Sequence, residues 1–102
     1  MDRIFLCSTF DLKINDSLPF DTPGGSIVLF RTKSGFYAVK NRCPHAGAPL
    51  HEGLINGDIL TCIWHGWKFN LKTSKCLSRA NATLTHIPIL IKDQKIYLRM
   101  TF

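Results

Sequence analysis

Four side chains in this 102-residue chain place sulfur and imidazole donors at short spacing. Cys43-Pro44-His45 is followed, after sixteen intervening residues, by Cys62-Ile63-Trp64-His65. Each half offers one thiolate and one imidazole. Two sulfurs and two nitrogens suit either a zinc ion or a mixed-ligand [2Fe–2S] cluster. Paired zinc ligands usually have two to four residues between them, whereas only Pro44 separates Cys43 from His45. A pair that close strains to chelate one tetrahedral ion. It fits better when its members bind different atoms, one iron taking both cysteines and the other both histidines. Each segment then spans the cluster. A zinc-binding interaction module remains the alternative on these residues alone.

The rest of the chain must bring the two segments side by side. Between them, Asn56-Gly57 reads as a type I′ hairpin turn, with strands at 54–55 and 58–62. A strand at 67–71 follows the His65-Gly66 loop. Upstream, residues 3–6 and 18–21 read as strands, the second ending at the turn Thr22-Pro23-Gly24-Gly25. Residues 26–31 are β-branched and apolar, which predicts a buried strand. Lys33-Ser34-Gly35 turns that strand into another at 36–39. Residues 73–83 read as irregular, and 87–91 with 96–99 as a hairpin across Lys92-Asp93-Gln94-Lys95. Helical periodicity is absent. Many short strands with frequent turns predict an all-β sandwich or barrel. The expectation is one domain over residues 1–102, with a small metal-binding lobe inserted at about 41–71.

The net charge is +6, with Lys and Arg scattered from Arg3 to Arg99 and no run of five basic residues. Nucleic-acid binding is therefore not expected, and an acidic protein partner is the better reading. Ile4-Phe5-Leu6-Cys7 is too short for the apolar core of a secretory signal, and no run approaches a membrane span. A cytoplasmic protein is expected. Four cysteines in that setting argue for metal or redox chemistry more than for disulfides.

The sequence resembles the Rieske ferredoxin family. Cys43-Pro44-His45-Ala46-Gly47-Ala48-Pro49-Leu50 is similar to the family's first cluster loop, and Cys62-Ile63-Trp64-His65-Gly66-Trp67-Lys68-Phe69 to its second. The resemblance implies one [2Fe–2S] cluster bound by Cys43, His45, Cys62 and His65, on a Rieske-like β-sandwich or barrel base. High-potential members carry an extra cysteine in each loop, forming a disulfide over the cluster, and hydroxyl groups that donate to sulfur. Here neither loop has a second cysteine, and Trp67 and Phe69 stand where hydroxyls would be. The resemblance is thus to the low-potential, oxygenase-associated subtype. Two departures concern the stretch after the second loop. Residues 77–82 hold no proline, and Ser74 precedes Lys75 where glycine is common.

The implied function is one-electron carriage from a ferredoxin reductase to a terminal oxygenase, through acidic partner surfaces. The alternative is a small electron-transfer subunit of a larger, nitrite-reductase-like complex. Catalysis by this chain itself is not expected, because an oxygenase adds a mononuclear iron held by two histidines and a carboxylate. Only His51 and His86 are left for that, without a matching carboxylate set. His51 reads as a solvated loop residue, Cys7 and Cys76 as packing residues. Trp64 and Trp67 read as hydrophobic cover or docking contacts beside His65.

Overall fold

The computed structural model describes residues 3–44, 47–63, 66–78 and 82–99. It is an antiparallel all-β structure of ten strands among those residues, in three sheets. One sheet has the order β1 (Arg3–Ser8), β10 (Lys95–Arg99), β9 (Ile89–Lys92). A second has the order β2 (Asp16–Thr22), β3 (Gly25–Thr32), β4 (Gly35–Lys40), β8 (His86–Ile87). The third is β5 (Leu54–Asn56), β6 (Ile59–Thr61), β7 (Lys68–Asn70).

The β2–β3–β4–β8 sheet is the middle layer. Ile27, Val28, Leu29 and Phe30 of β3 are all buried, the pattern of a strand covered on both faces. Side chains alternate across a sheet, and the two faces feed two cores. Val28, Phe30 and Val39 belong to a cluster that also holds Cys43, Cys62, Leu60 and Phe69. Leu29 and Ala38 belong to the other, with Cys7, Leu12 and Ile96. The first core lies against the β5–β6–β7 sheet, the second against the β1–β10–β9 sheet. Pro19 sits within β2, which is tolerated because β2 is an edge strand with one row of backbone groups unpaired.

The fold class is as expected, with three local differences. The β5–β6 turn is centred one residue later than the Asn-Gly reading, since Asn56 pairs with Ile59. Positive φ occurs at Gly57 alone there, so the second positive φ of a type I′ turn is missing. The stretch expected as one strand at 87–91 is two: β8 pairs with β4, and β9 with β10. Pro88, which has no N–H to donate, marks the point where the chain leaves one sheet for another. Its carbonyl accepts from Arg99 N at 3.0 Å. Two single 3-10 turns, Thr9–Asp11 and Leu50–Glu52, had no counterpart in the sequence reading.

Cys7 is buried beside Ile96 in the second core, and burial, with a smaller contribution from the Asp11 carboxylate, pushes its thiol up. That environment suits an inert packing thiol. Cys76 is buried in the first core, so the two residues read as packing do pack.

Candidate metal centre

The two cysteine loops are closed in the same way. Cys43 N donates to Ala48 O at 2.8 Å, and Cys62 N donates to Trp67 O at 2.8 Å. In both the bond runs from the cysteine to the carbonyl five residues on. In both the fourth residue after the cysteine is a left-handed glycine, Gly47 with φ 74° and Gly66 with φ 68°. Glycine takes that conformation without the clash a Cβ would bring. Gly47 N also returns a 2.8 Å bond to Cys43 O. The motif is therefore two matched six-residue loops, each starting on a cysteine.

Both cysteines end up in one place. Cys43 is 0% and Cys62 1% exposed, in one apolar cluster with Ala48, Leu50, Leu60, Phe69 and Leu71. The β5–β6–β7 sheet joins the loops: Leu50–Glu52 and β5 follow the first, β6 runs into the second, and β7 leaves it. Buried sulfur donors on matched loops, each followed closely in sequence by an imidazole, fit a cluster needing two thiolates and two histidines. His45, Trp64 and His65 lie outside the described residues.

The ends of the first loop are tied together by Asn41 and His51. Asn41 Oδ1 accepts from His51 N at 3.0 Å, and Asn41 Nδ2 lies 2.9 Å from His51 Nδ1. With Oδ1 engaged by an N–H, Nδ2 is the donor to Nδ1, so the ring proton belongs on Nε2. That nitrogen faces Glu52 Oε2 at 3.7 Å. The His51 carbonyl accepts from Ser17 Oγ at 2.9 Å, and Asn41 N donates to Ser26 O at 3.0 Å. His51 is thus half-buried and structural, not the solvated loop residue its sequence position suggested. Nothing in the Asn41-to-His51 spacing signals this. Arg42 folds its guanidinium against the same loop, its Nε 3.4 Å from where a Cβ on Gly47 would stand.

A second tie joins the β5–β6 turn to the middle sheet. Thr32 Oγ1 donates to Asp58 Oδ1 at 2.6 Å and Ser34 Oγ to Asp58 Oδ2 at 2.9 Å. These hydrogen bonds, Thr32 first, hold the Asp58 carboxyl below the usual carboxylate range, with a smaller contribution from Lys72. A carboxyl lowered in the folded state adds stability above its unfolded pKa and loses it as pH falls through the folded value. Comparing Asp58→Asn with the parent in urea should therefore give a constant stability difference above about pH 5 that shrinks below about pH 4. A difference that stayed flat through the acid range would remove Asp58 from this role.

After β7 the chain makes a tight return. Ser74 has φ 65° and is buried, with its N–H on Asn70 O and its carbonyl accepting from Leu84 N, both at 2.7 Å. The departure from glycine noted at this position falls on a residue in the left-handed region. A side chain there costs roughly 1–2 kcal/mol, and glycine gives back about 0.5–1 kcal/mol in chain entropy. Ser74→Gly should raise stability by about 0.5–1 kcal/mol, read as a higher urea midpoint at unchanged slope. In the adjoining stretch without proline, Leu77 N donates to Lys68 O at 2.7 Å, and residues 79–81 lie outside the described residues. Trp67 is partly buried against the first core.

The comparisons with known proteins agree with this geometry. The Rieske [2Fe-2S] domain family model matches residues 2–88. The 3-phenylpropionate/cinnamic acid dioxygenase ferredoxin subunit of Shigella boydii is 34% identical over 100 residues, covering 96% of this chain and 93% of that protein. Among solved structures, a chain in the complex of reduced oxygenase and oxidised ferredoxin of carbazole 1,9a-dioxygenase superposes with a TM-score of 0.87 at 25% identity, over 95% of this chain and 92% of that one. The ferredoxin of carbazole 1,9a-dioxygenase from Nocardioides aromaticivorans superposes at 0.88 with 19% identity, over 99% and 100%. The chain belongs to the Rieske [2Fe–2S] domain family. It is an electron-transfer protein that carries one [2Fe–2S] cluster, and a carrier in place of a catalyst.

Proposed function

We propose that Cys43 and Cys62 bind one iron and His45 and His65 the other, and that the chain passes electrons from a reductase to a terminal oxygenase. The matched closure of two loops that bury both sulfurs together carries this reading. The bound cluster supplies a one-electron couple. The protein's own part is to hold the loops in register through the Asn41–His51 and Asp58–Thr32 ties, and to exclude water with the apolar wall of Leu50, Leu60 and Phe69. An oxygenase as acceptor is supported by the 34% identical relative, a dioxygenase ferredoxin subunit. The +6 charge favours acidic partner surfaces and docking that weakens with salt. The same reading makes residues 1–102 one domain with its cluster lobe at about 41–71, in the cytoplasm; among the described residues no helix is long and apolar enough to cross a membrane.

Trp67 and Phe69 carry no hydroxyl that could donate to sulfur. Such hydrogen bonds stabilise the reduced cluster and raise its potential. The expected potential is near the low end of the Rieske range, roughly −150 mV. The test is an EPR spectrum of the dithionite-reduced protein, with titration of its potential. A rhombic signal with average g below that of all-cysteine ferredoxins supports imidazole ligation, and His45→Cys and His65→Cys should each alter the spectrum and lower the potential. Unchanged spectra in both variants would exclude these histidines. A colourless protein with about one zinc per chain would favour the closed zinc site.

A further inference from the structure

The outer face of the β1–β10–β9 sheet gathers charge of one sign. Arg3 and Arg99 are paired across β1 and β10, and Lys92 and Lys95 across β9 and β10. All four are exposed. Tyr97 lies between them, paired with Phe5 on one side and Leu90 on the other. The Arg3 guanidinium sits 4.9 Å above the Tyr97 ring, and Phe5 meets that ring edge-on at 5.7 Å, which places these groups on one face. Phe5 remains 55% exposed. The strand residues of this face include no carboxylate among those described. Among the described residues, acids flank these strands at Asp11, whose Oδ2 is engaged by Ser8 N at 2.9 Å, and at Asp93 in the β9–β10 turn.

This face is not the face of the cluster loops. The inner side of its sheet packs through Cys7 and Ile96 on Leu29 and Ala38. The opposite side of that middle sheet carries Val28, Phe30 and Val39, which pack with Cys43 and Cys62. Two sheet-packing layers, roughly 20 Å, therefore separate the basic face from the cysteine loops. We propose that this face is a second docking surface, which holds an acidic patch of a partner protein while leaving the cluster loops uncovered. It deepens the reading of the chain as a carrier with acidic partners by assigning that charge to a place. A protein occupant is favoured over single-stranded nucleic acid because the Tyr97 ring is already covered by Arg3 and edged by Phe5, so it is not open for a base to stack on. Exposed aromatic and arginine side chains together are the usual anchors of protein interfaces.

The test uses 15N-labelled, cluster-loaded protein titrated with poly-L-glutamate, with amide shifts followed at low and high salt. The expected result is salt-sensitive shifts centred on Phe5, Lys92, Lys95, Tyr97 and Arg99. Affinity should fall about tenfold in a Lys92→Glu, Lys95→Glu, Arg99→Glu variant. A Lys13→Glu, Lys33→Glu, Lys40→Glu variant, with the same change in net charge, should lose much less. Equal loss in both variants, or shifts centred on the cysteine loops, would overturn the proposal. So would tighter binding of oligothymidylate or phosphatidylglycerol vesicles to this face, or self-association through it. The visible spectrum of each variant reports the cluster separately, so failure of the docking surface is distinguishable from failure of the ligand assignment. Should the reversed variant not fold, the parent's shift map still decides the outcome.

Discussion

Phe69→Ala should cost about 3–5 kcal/mol of stability and leave a protein that loses its cluster readily. The ring is fully buried, and the Phe69 backbone, at the centre of β7, is paired with Leu60 and bridged to Cys76. Phe69 belongs to the buried cluster that also holds Cys43 and Cys62, so the cavity would open in the core that contains both cysteines. Large-to-small changes cost the lost transfer energy plus the energy of the void left behind. A chain of this size is stable by only about 5–15 kcal/mol, so about a fifth or more of that margin is at stake. A bound cluster adds stability by mass action, hence the cluster-free variant should unfold first. Phe69→Leu keeps most of the volume and should cost less than about 1.5 kcal/mol. Urea unfolding under argon, with iron counted before and after, separates the two variants. Equal costs for Ala and Leu would mean the ring does not pack as the structure places it.

The sequence carried the hairpins well because each has local cause. Thr22-Pro23-Gly24-Gly25 fixes the β2–β3 turn and Lys92-Asp93-Gln94-Lys95 the β9–β10 turn, and both are observed where expected. The repeated Cys/His segments marked Cys43 and Cys62 as a pair, and the two share one core. The matched loop closures were half visible, as glycines four residues beyond Cys43 and Cys62. What the sequence withheld depends on partners distant in the chain. His51 is structural only because Asn41 and Ser17 reach it. Asp58 reads in the sequence only as the start of a strand, and its role depends on Thr32 and Ser34 far back in the chain. Pro88 is a readable signal, since a proline inside an expected strand argues against one continuous ladder. The scattered Lys and Arg residues concealed their clustering for a related reason. Lys92, Lys95 and Arg99 meet Arg3 only when the last hairpin pairs with the first strand.

Gly53→Ala should cost about 1–3 kcal/mol and lower the iron content of the purified protein. Gly53 has φ −73°, which any residue adopts, so the penalty is one of space. An added Cβ would stand 2.6 Å from Thr61 O, 2.8 Å from Leu60 Cδ1 and 3.2 Å from Leu50 O. Leu60 is fully buried and has little room to turn aside. Thr61 O is backbone, in a strand whose pairing with Leu54 fixes its position. Relief therefore requires the turn after the first loop to move away from β6, and β6 leads directly into Cys62. The two cysteine loops would separate along the line between them. Gly57→Ala makes the informative comparison. Its Cβ meets open space, but its φ of 63° is unfavourable for alanine, so it loses about 1–2 kcal/mol at the turn, away from the loops. Thermal unfolding should show both variants weakened, while iron per chain should fall only in Gly53→Ala. Full iron occupancy in Gly53→Ala would show that loop separation is not set by this contact. Parallel iron loss in Gly57→Ala would show that cluster retention follows overall stability, with no special part for the approach of Gly53 to Thr61.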